Sequence, residues 1–517
     1  MNIAHWLGRT AQEYGDQPTI FLGTELNCRY DELEYSVRQI STWLQGLGVK
    51  PGDRVALFML NHPDYLRLLF AIWYSGGVAV PINAKLHAKE AFWIIDNSEA
   101  KFTFASQEQS ISLLKVCGDL GRNINVFDLS GGILLEVTKN CAMSSIFPRN
   151  SSDLAWLFYT SGTTGRPKGV MITHGMLKSM AMSYLADVDT VLLEDVTLYS
   201  APFSHGAGLY SIIHVLKAAG HVFPVTGGFD SEEILAISEH FKSVHMFAAP
   251  TMVKRLTAAS KARGIKPTGL RTIVYAGGPM YKADIIEALD WFGPIFVQIY
   301  GQGECPMAIT ALSRQAIDNR SHPRWEARLT SVGIAQSDVE VQIWGETGQP
   351  VTTGQSGEIM VRGDPVMPGY WRNTKASNEA LQNGWLRTGD IGIMDSEGYI
   401  TLKDRSKDLI ISGGSNIYPR EVEEVLLMHA SIAEAAVVGR KHIDWGEEVV
   451  AFIVLTTAKN LSAETLSQFC RQHIAAFKLP KAYIVIEALP KNNYGKILKK
   501  DLRNILKNQS TIKYLKY

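Results

Sequence analysis

A chain of 517 residues exceeds the size at which one hydrophobic core keeps growing, so at least two domains are expected. Its 51 basic and 51 acidic side chains cancel, which removes any electrostatic reason to expect nucleic acid or a strongly anionic membrane as partner. Five cysteines (Cys28, Cys117, Cys141, Cys305, Cys470) lack paired spacing, which argues for reduced structural thiols over a disulfide frame or zinc site.

The N-terminus carries no basic stretch followed by an apolar one, so no secretory leader is expected. Asp31 with Glu34 reads as a capping box, ahead of Leu33, Val37, Ile40, Leu44 and Leu47 at helical spacing. Pro51-Gly52-Asp53 turns into a strand over 55–59, Asn61-His62-Pro63 opens an apolar helix over 65–74, and 78–82 reads as a buried strand. The apolar run 66–82 is cut by Ser75-Gly76-Gly77 and Pro81, too broken to span a membrane. Strands are expected again at 244–248, 272–275 and 295–299, and short β segments at 357–362 and 398–403. After a boundary near Asp404 come a helix at 421–429, strands at 435–438 and 451–455, a helix at 463–474 and a strand at 483–486. The fold class is therefore α/β: a large N-terminal domain (1–403) of layered sheets and helices with a β-rich subdomain, then a smaller α+β domain (404–517). The expected setting is the cytoplasm, with no transmembrane segment.

The most informative stretch is YTSGTTGRPKGV at 159–170. Its glycines, Gly162 and Gly165, let the backbone turn sharply and expose N–H groups to phosphate oxygens. Thr160, Ser161, Thr163 and Thr164 add hydroxyl donors, and Lys168 adds a compact positive charge. A Walker loop needs Gly-Lys followed by Ser or Thr, and here Lys168 lies between Pro167 and Gly169. Apolar runs on both sides predict a hairpin between buried strands.

This loop resembles the nucleotide-binding motif of the adenylate-forming superfamily, which includes acyl-CoA synthetases, aryl-CoA ligases, firefly luciferase and peptide-synthetase adenylation domains. Further motifs follow in the same order along nearly the whole chain. Tyr300-Gly301-Gln302-Gly303-Glu304 resembles the family's Tyr-Gly-x-Thr-Glu. The resemblance implies Glu304 as the Mg²⁺ ligand and Gln298 and Tyr300 as adenine neighbours. Gly303 departs from the family's threonine; the hydroxyl-rich loop could compensate, and restoring threonine there should strengthen ATP binding if the backbone admits a side chain. Ala276-Gly277-Gly278-Pro279 resembles a segment bordering adenine and the acyl group. In Trp385–Gly392, Asp390 inherits the ribose hydroxyls, and Arg405 the ribose or a phosphate. Lys407 falls at the hinge about which the small domain turns. Gly413-Gly414 matches the loop lining the pantetheine tunnel, and Lys496 matches the catalytic lysine.

His205, in Pro202-Phe203-Ser204-His205-Gly206, matches the residue bordering the acyl pocket, and the acidic group that grips an amino-acid substrate is absent there. The implied activity is ATP-dependent ligation of a fatty or aryl carboxylic acid to coenzyme A through an acyl-adenylate, with Mg²⁺ as cofactor. A second reading is loading of an acyl carrier protein's phosphopantetheine thiol. A third is a degenerate nucleotide binder, which Gly303 favours and Lys496 and Glu304 oppose.

Overall fold

The apolar stretch Arg54–Met59 is buried from its second residue onward, as a strand covered on both faces must be. It lies inside a six-stranded sheet between Val78–Asn83 and Phe102–Ala105, all parallel. The sheet ends in an antiparallel pair, Leu154–Thr160 and Lys168–Thr173. In this computed structural model every residue is described except 138–142, 161–166, 279, 406–407, 413–414, 457–460, 493–496, 508–513 and 516–517; the side chains of Leu135, Asp404, Arg405, Ser415 and Asn416 are also outside the description.

The helix Pro63–Tyr74 packs on this sheet with almost every side chain buried. Pro63 sits in its first turn, where a missing N–H costs nothing, and the His62 ring accepts from the Asp64 N–H. The earlier helix begins before the expected capping box. It spans Tyr30–Gly46, and the Glu32 carboxylate, not Glu34, accepts from the backbone N–H of Arg29 at 2.8 Å. Glu34 instead accepts from the Tyr74 hydroxyl, so tertiary contact took the residue that local pattern assigned to the cap.

A nine-stranded sheet forms the second layer. Its central strands Val244–Ala248, Leu270–Tyr275 and Phe296–Gln302 run parallel, so their C-terminal ends open on one edge. A five-stranded antiparallel sheet follows, built on Val339–Trp344, Ser356–Gly363, Trp385–Met394 and Ile400–Arg405. Beyond it, Ile432–His442, Gly446–Leu455 and Ala482–Val485 pack with the helices Pro419–Leu427, Ala463–Arg471 and Lys499–Lys507 around cores of their own. The first two strands are longer than the sequence pattern predicted, because pairing extends each past its apolar centre, while the third keeps its expected length one residue earlier.

Cys28, Cys117, Cys305 and Cys470 are free and buried; Cys141 lies outside the described residues. Among the described residues no helix is long and apolar enough to cross a membrane.

One buried side chain joins the two large sheets. Asn61 donates to the carbonyls of Tyr199 (2.7 Å) and Ala201 (2.8 Å) and accepts from the N–H of Phe203 (2.8 Å). Asn61→Ala strands three buried backbone groups, at roughly 1–3 kcal/mol each where water cannot reach. The expected outcome is a loss of at least about 2 kcal/mol in chemical denaturation; an unchanged midpoint would mean that water replaces the amide.

Candidate active site

The parallel strand ends deliver Ala249, Ala276-Gly277 and Gly301–Glu304 to the rim of a cleft of about 700 Å³. Crevices at such strand ends are where open α/β sheets bind ligands. From the six-stranded sheet come Phe158, Thr160 and Lys168, and from the antiparallel sheet Glu358, Arg387, Thr388 and Gly389. Asn492 of the C-terminal unit completes the wall.

The expected hairpin is present: Thr160 and Lys168 face each other in register at the root of the loop. Ser161, Gly162, Thr163, Thr164 and Gly165 lie outside the described residues, as do Lys407, Gly413, Gly414 and Lys496. Lys168 Nζ stands 4.9 Å above the Tyr370 ring, whose hydroxyl donates to Glu304 Oε1 at 2.6 Å. Burial and the Glu304 charge both push the Tyr370 phenol up, so it stays a donor. Tyr370 was not singled out in the sequence. It arrives because Gly369–Trp371 zips onto the hairpin, with Trp371 N–H donating to Gly169 O (2.7 Å) and Met171 N–H to Gly369 O (3.1 Å).

Asp390 is buried and fixed on both sides. The Tyr300 hydroxyl (2.7 Å) and the Gln302 amide (2.5 Å) both donate to its Oδ2. Gln302 also donates to Thr388 O, so one amide clamps the turn and the carboxylate together. Asp390 pairs in register with Arg405 on the adjacent strand. Gln298, expected as an adenine neighbour with Tyr300, accepts from the Tyr275 hydroxyl at 3.2 Å; neither of the two, nor Asp390, is among the cleft-lining residues. Strand alternation turns Gln298 and Tyr300 to the same face, but only Tyr300 is near enough to the strand end to reach Asp390. Gln302 fills the role that sequence reading passed over. Gly277 lines the cleft with φ +84°, a conformation that favours glycine.

Gly303 has a steric explanation. A Cβ there would stand 2.7 Å from the Thr160 methyl and 2.9 Å from the Phe158 ring, while its φ is not positive. The threonine expected by resemblance has no room, because Thr160 already brings its side chain to that point. Gly301 is required for a similar reason, with the Met307 backbone 2.6 Å from its would-be Cβ.

Part of the cleft wall is apolar, with Ala207, Leu209, Phe247, Met252, Ile299 and Met307. Met307 holds φ +61°, rare for a side-chain-bearing residue, and its thioether occupies the space a Cβ at Gly206 would enter. His205 lies 4.5 Å, ring to ring, from Phe158 at the mouth of this pocket. Loss of hydration lowers its pKa to about 4, so it is a neutral imidazole at pH 7.

Mg²⁺ commonly binds through one or two carboxylates with substrate phosphates supplying further oxygens. Glu304 fits this role, since it lines the cleft beside Thr160 and Lys168. No cluster of three or more acidic, His or Cys ligands exists among the described residues, so a dedicated all-protein cage is not formed there.

The family model described as AMP-binding enzyme matches residues 7–371, and that of the AMP-binding enzyme C-terminal domain matches 421–496. The chain belongs to the AMP-binding enzyme family. It is 33% identical to a feruloyl-CoA synthase from Amycolatopsis sp over 93% of this chain and 94% of that protein. It is 32% identical to a 2-succinylbenzoate–CoA ligase from Bacillus velezensis over 98% of both chains. Among solved structures, the o-succinylbenzoate CoA synthetase from Bacillus subtilis in complex with its acyl-adenylate superposes with a TM-score of 0.85 at 29% identity, covering 98% of this chain and 99% of that one. ATP-bound MatB from Rhodopseudomonas palustris gives 0.87 at 26% identity, covering 99% and 100%. The mixed α/β architecture is thus that of adenylate-forming enzymes.

Two outcomes follow from this geometry. Gly303→Thr should push Thr160 and the loop root outward, lowering the melting temperature and weakening ATP binding; tighter ATP binding in a mutant of unchanged stability would refute the packing account. The second concerns pH. Burial lowers His174 and His214 to about 3 and His205 to about 4, against 6.5 when hydrated. These depressed values stabilise the fold fully above pH 6.5, and that stability is lost as pH falls toward the folded values, because the unfolded chain then binds more protons. At pH 5 each imidazole contributes about 1.4 kcal/mol per pH unit, or roughly 4 kcal/mol per unit for the three. Denaturation midpoints measured from pH 7.5 to 5 should fall accordingly, and a flat profile would show that these rings stay hydrated.

Proposed function

We propose that this protein is an AMP-forming acid–thiol ligase that joins a carboxylic acid to coenzyme A at the expense of ATP. The observation that carries the reading is the meeting of Thr160, Lys168 and Glu304 around one cleft that also has an apolar lining, with Gly389 in its wall next to Asp390, which Tyr300 and Gln302 hold. A nucleotide can be held at its phosphates and ribose while an acid lies against that lining. The CoA ligase names of its relatives support coenzyme A as acceptor.

In the first half-reaction a carboxylate oxygen of the acid attacks the α-phosphorus of ATP, and the bond to pyrophosphate breaks. Lys168 and the hairpin backbone bind the phosphates, with the Lys168 charge set by its stack on Tyr370. Glu304, aligned by the Tyr370 hydroxyl, would hold Mg²⁺, which when bound neutralises phosphate charge. Asp390 presents a carboxylate to the ribose hydroxyls, and Arg405 stands opposite it in the ladder. His205, uncharged and above the apolar pocket, orients the attacking carboxylate without trapping it in an ion pair. We assign Lys496 to the charge that develops during attack; its described neighbour Asn492 reaches the cleft. In the second half-reaction the thiol attacks the acyl carbon, and AMP leaves with the electron pair of the broken acyl–phosphate bond.

We further place the domain boundary near Asp404, with Lys407 as the hinge that withdraws Lys496 and brings Gly413 and Gly414 to the site. The cytoplasm is the proposed location because ATP and coenzyme A are both supplied there. The pocket fits fatty or aryl acids, having no carboxylate among residues 202–206 to grip an amino group.

ATP–pyrophosphate exchange over benzoates, cinnamates and C4–C16 fatty acids tests the activation step, and free coenzyme A compared with a phosphopantetheinylated carrier protein tests the acceptor. Exchange with no acid would overturn the ligase reading; thioester formed only on the carrier would transfer it to carrier loading. Lys496→Ala should lower acyl-adenylate formation on the order of 10²–10³-fold while largely sparing thioester formation from supplied acyl-adenylate. Equal loss of both steps in a folded mutant would remove this role.

A further inference from the structure

Behind the acid pocket lies a second, buried chamber. Ala207 and Phe247 line both, so these two side chains form the partition between them. The chamber has a volume of about 10 Å³ and is walled by Tyr184, Thr197, Tyr210, His214 and His245 among others. A space of that size accommodates about one water molecule.

Three polar atoms in this wall have no hydrogen-bond partner among the described residues: Tyr210 Oη, His214 Nε2 and His245 Nδ1. Their residues are 4%, 2% and 2% exposed, so bulk solvent does not reach them. An unmet buried polar group is costly, and three around one space form an unfavourable arrangement unless something there satisfies them.

The hydrogen-bonding capacities of the wall define what fits. His214 Nδ1 is 3.1 Å from the carbonyl oxygen of Tyr210, which can only accept. The proton is therefore on Nδ1, and Nε2 offers a lone pair to the chamber. Tyr210 offers a hydroxyl, held protonated because burial pushes the phenol up. His245 Nε2 faces Arg271 Nη1 at 2.5 Å and Asp195 Oδ2 at 3.2 Å, which leaves Nδ1 as its face toward the chamber. The rings of His214 and His245 are 5.6 Å apart and edge to face. A ligand that both donates and accepts meets this wall; the nearby Arg271 charge and the absence of a three-ligand acidic, His or Cys cluster among the described residues disfavour a metal cation.

We propose that this chamber is a binding site for one neutral hydroxyl-type oxygen, supplied either by a buried water or by the distal hydroxyl of an acid that reaches past Phe247. The oxygen donates to His214 Nε2, accepts from Tyr210 O–H and pairs with His245 Nδ1. The substrate source rests on the ligase reading; the water source does not.

Tyr210→Phe removes one partner and keeps the ring that packs on Tyr184 and Phe247. The experiment has two arms, both on the full chain. The first is a crystal structure without acid, at a resolution that shows ordered waters, for wild type and Tyr210→Phe. The second is pyrophosphate exchange with cinnamate and 4-hydroxycinnamate for the same proteins. An oxygen within about 2.6–3.2 Å of all three side chains in unliganded wild type supports the site and identifies water. A KM lower by roughly three- to ten-fold for the hydroxylated acid, erased in Tyr210→Phe, supports the site and identifies the substrate hydroxyl. No oxygen in the crystal together with an unchanged KM ratio overturns the proposal. If neither acid is activated, the choice of substrate is at fault and the crystallographic arm alone decides.

Discussion

The short segment from Met367 to Trp371 ties together the two sheets on which the site depends. Met367 N–H donates to the carbonyl of Glu304 at 2.8 Å, at the end of the nine-stranded sheet. Three residues later Tyr370 pairs with Val170 on the hairpin of the six-stranded sheet, and Trp371 N–H donates to Gly169. The Tyr370 side chain then bridges the same two sheets, donating to Glu304 while its ring face meets Lys168. The separation between the Lys168 ammonium and the Glu304 carboxylate is therefore fixed by a strap belonging to neither sheet. Gly303 completes the arrangement, since only hydrogen there lets the Thr160 methyl approach.

Charge is managed in two ways around the cleft. Two carboxylates at or beside it accept from neutral donors, Asp390 from a phenol and an amide and Glu304 from a phenol, whereas Glu358 in its wall pairs with Arg387. His214 and His221 are kept uncharged by burial, His214 at about 3 and His221 well below its hydrated value. Tyr199 and Tyr30 occupy both ring nitrogens of His221, at 2.6 and 3.3 Å. An apolar acid pocket backed by neutral rings does not attract the carboxylate away from the nucleotide.

Local pattern was a good guide where one element satisfied its own needs. Pro63 opened its helix, and the strand Val244–Ala248 was bounded correctly by its apolar run. It failed where a partner outbid a neighbour. Glu34 left the cap for Tyr74, and Gln302, which no motif role singled out, took hold of Asp390. Met307 carried no motif at all; its φ of +61° lies in the strand Cys305–Leu312, where the antiparallel register with Phe296–Gln302 shifts, and its contact with Gly206 is one that only the folded pair of strands creates.

By itself the sequence determined the family, the α/β class and the residue types proposed for phosphate and ribose, because these depend on glycine, hydroxyl and carboxylate placed at fixed spacing within single turns. Thr160, Lys168, Glu304 and Asp390 are legible for that reason. The tertiary structure decided which residues hold those groups in place: Tyr370, Gln302 and Asn61 act across 66, 88 and 138–142 positions of sequence separation, respectively. It also decided that Gly303 must lack a side chain and that Tyr210, His214 and His245 face one chamber. Such facts depend on the distance between surfaces of separate elements, and no local periodicity encodes that distance.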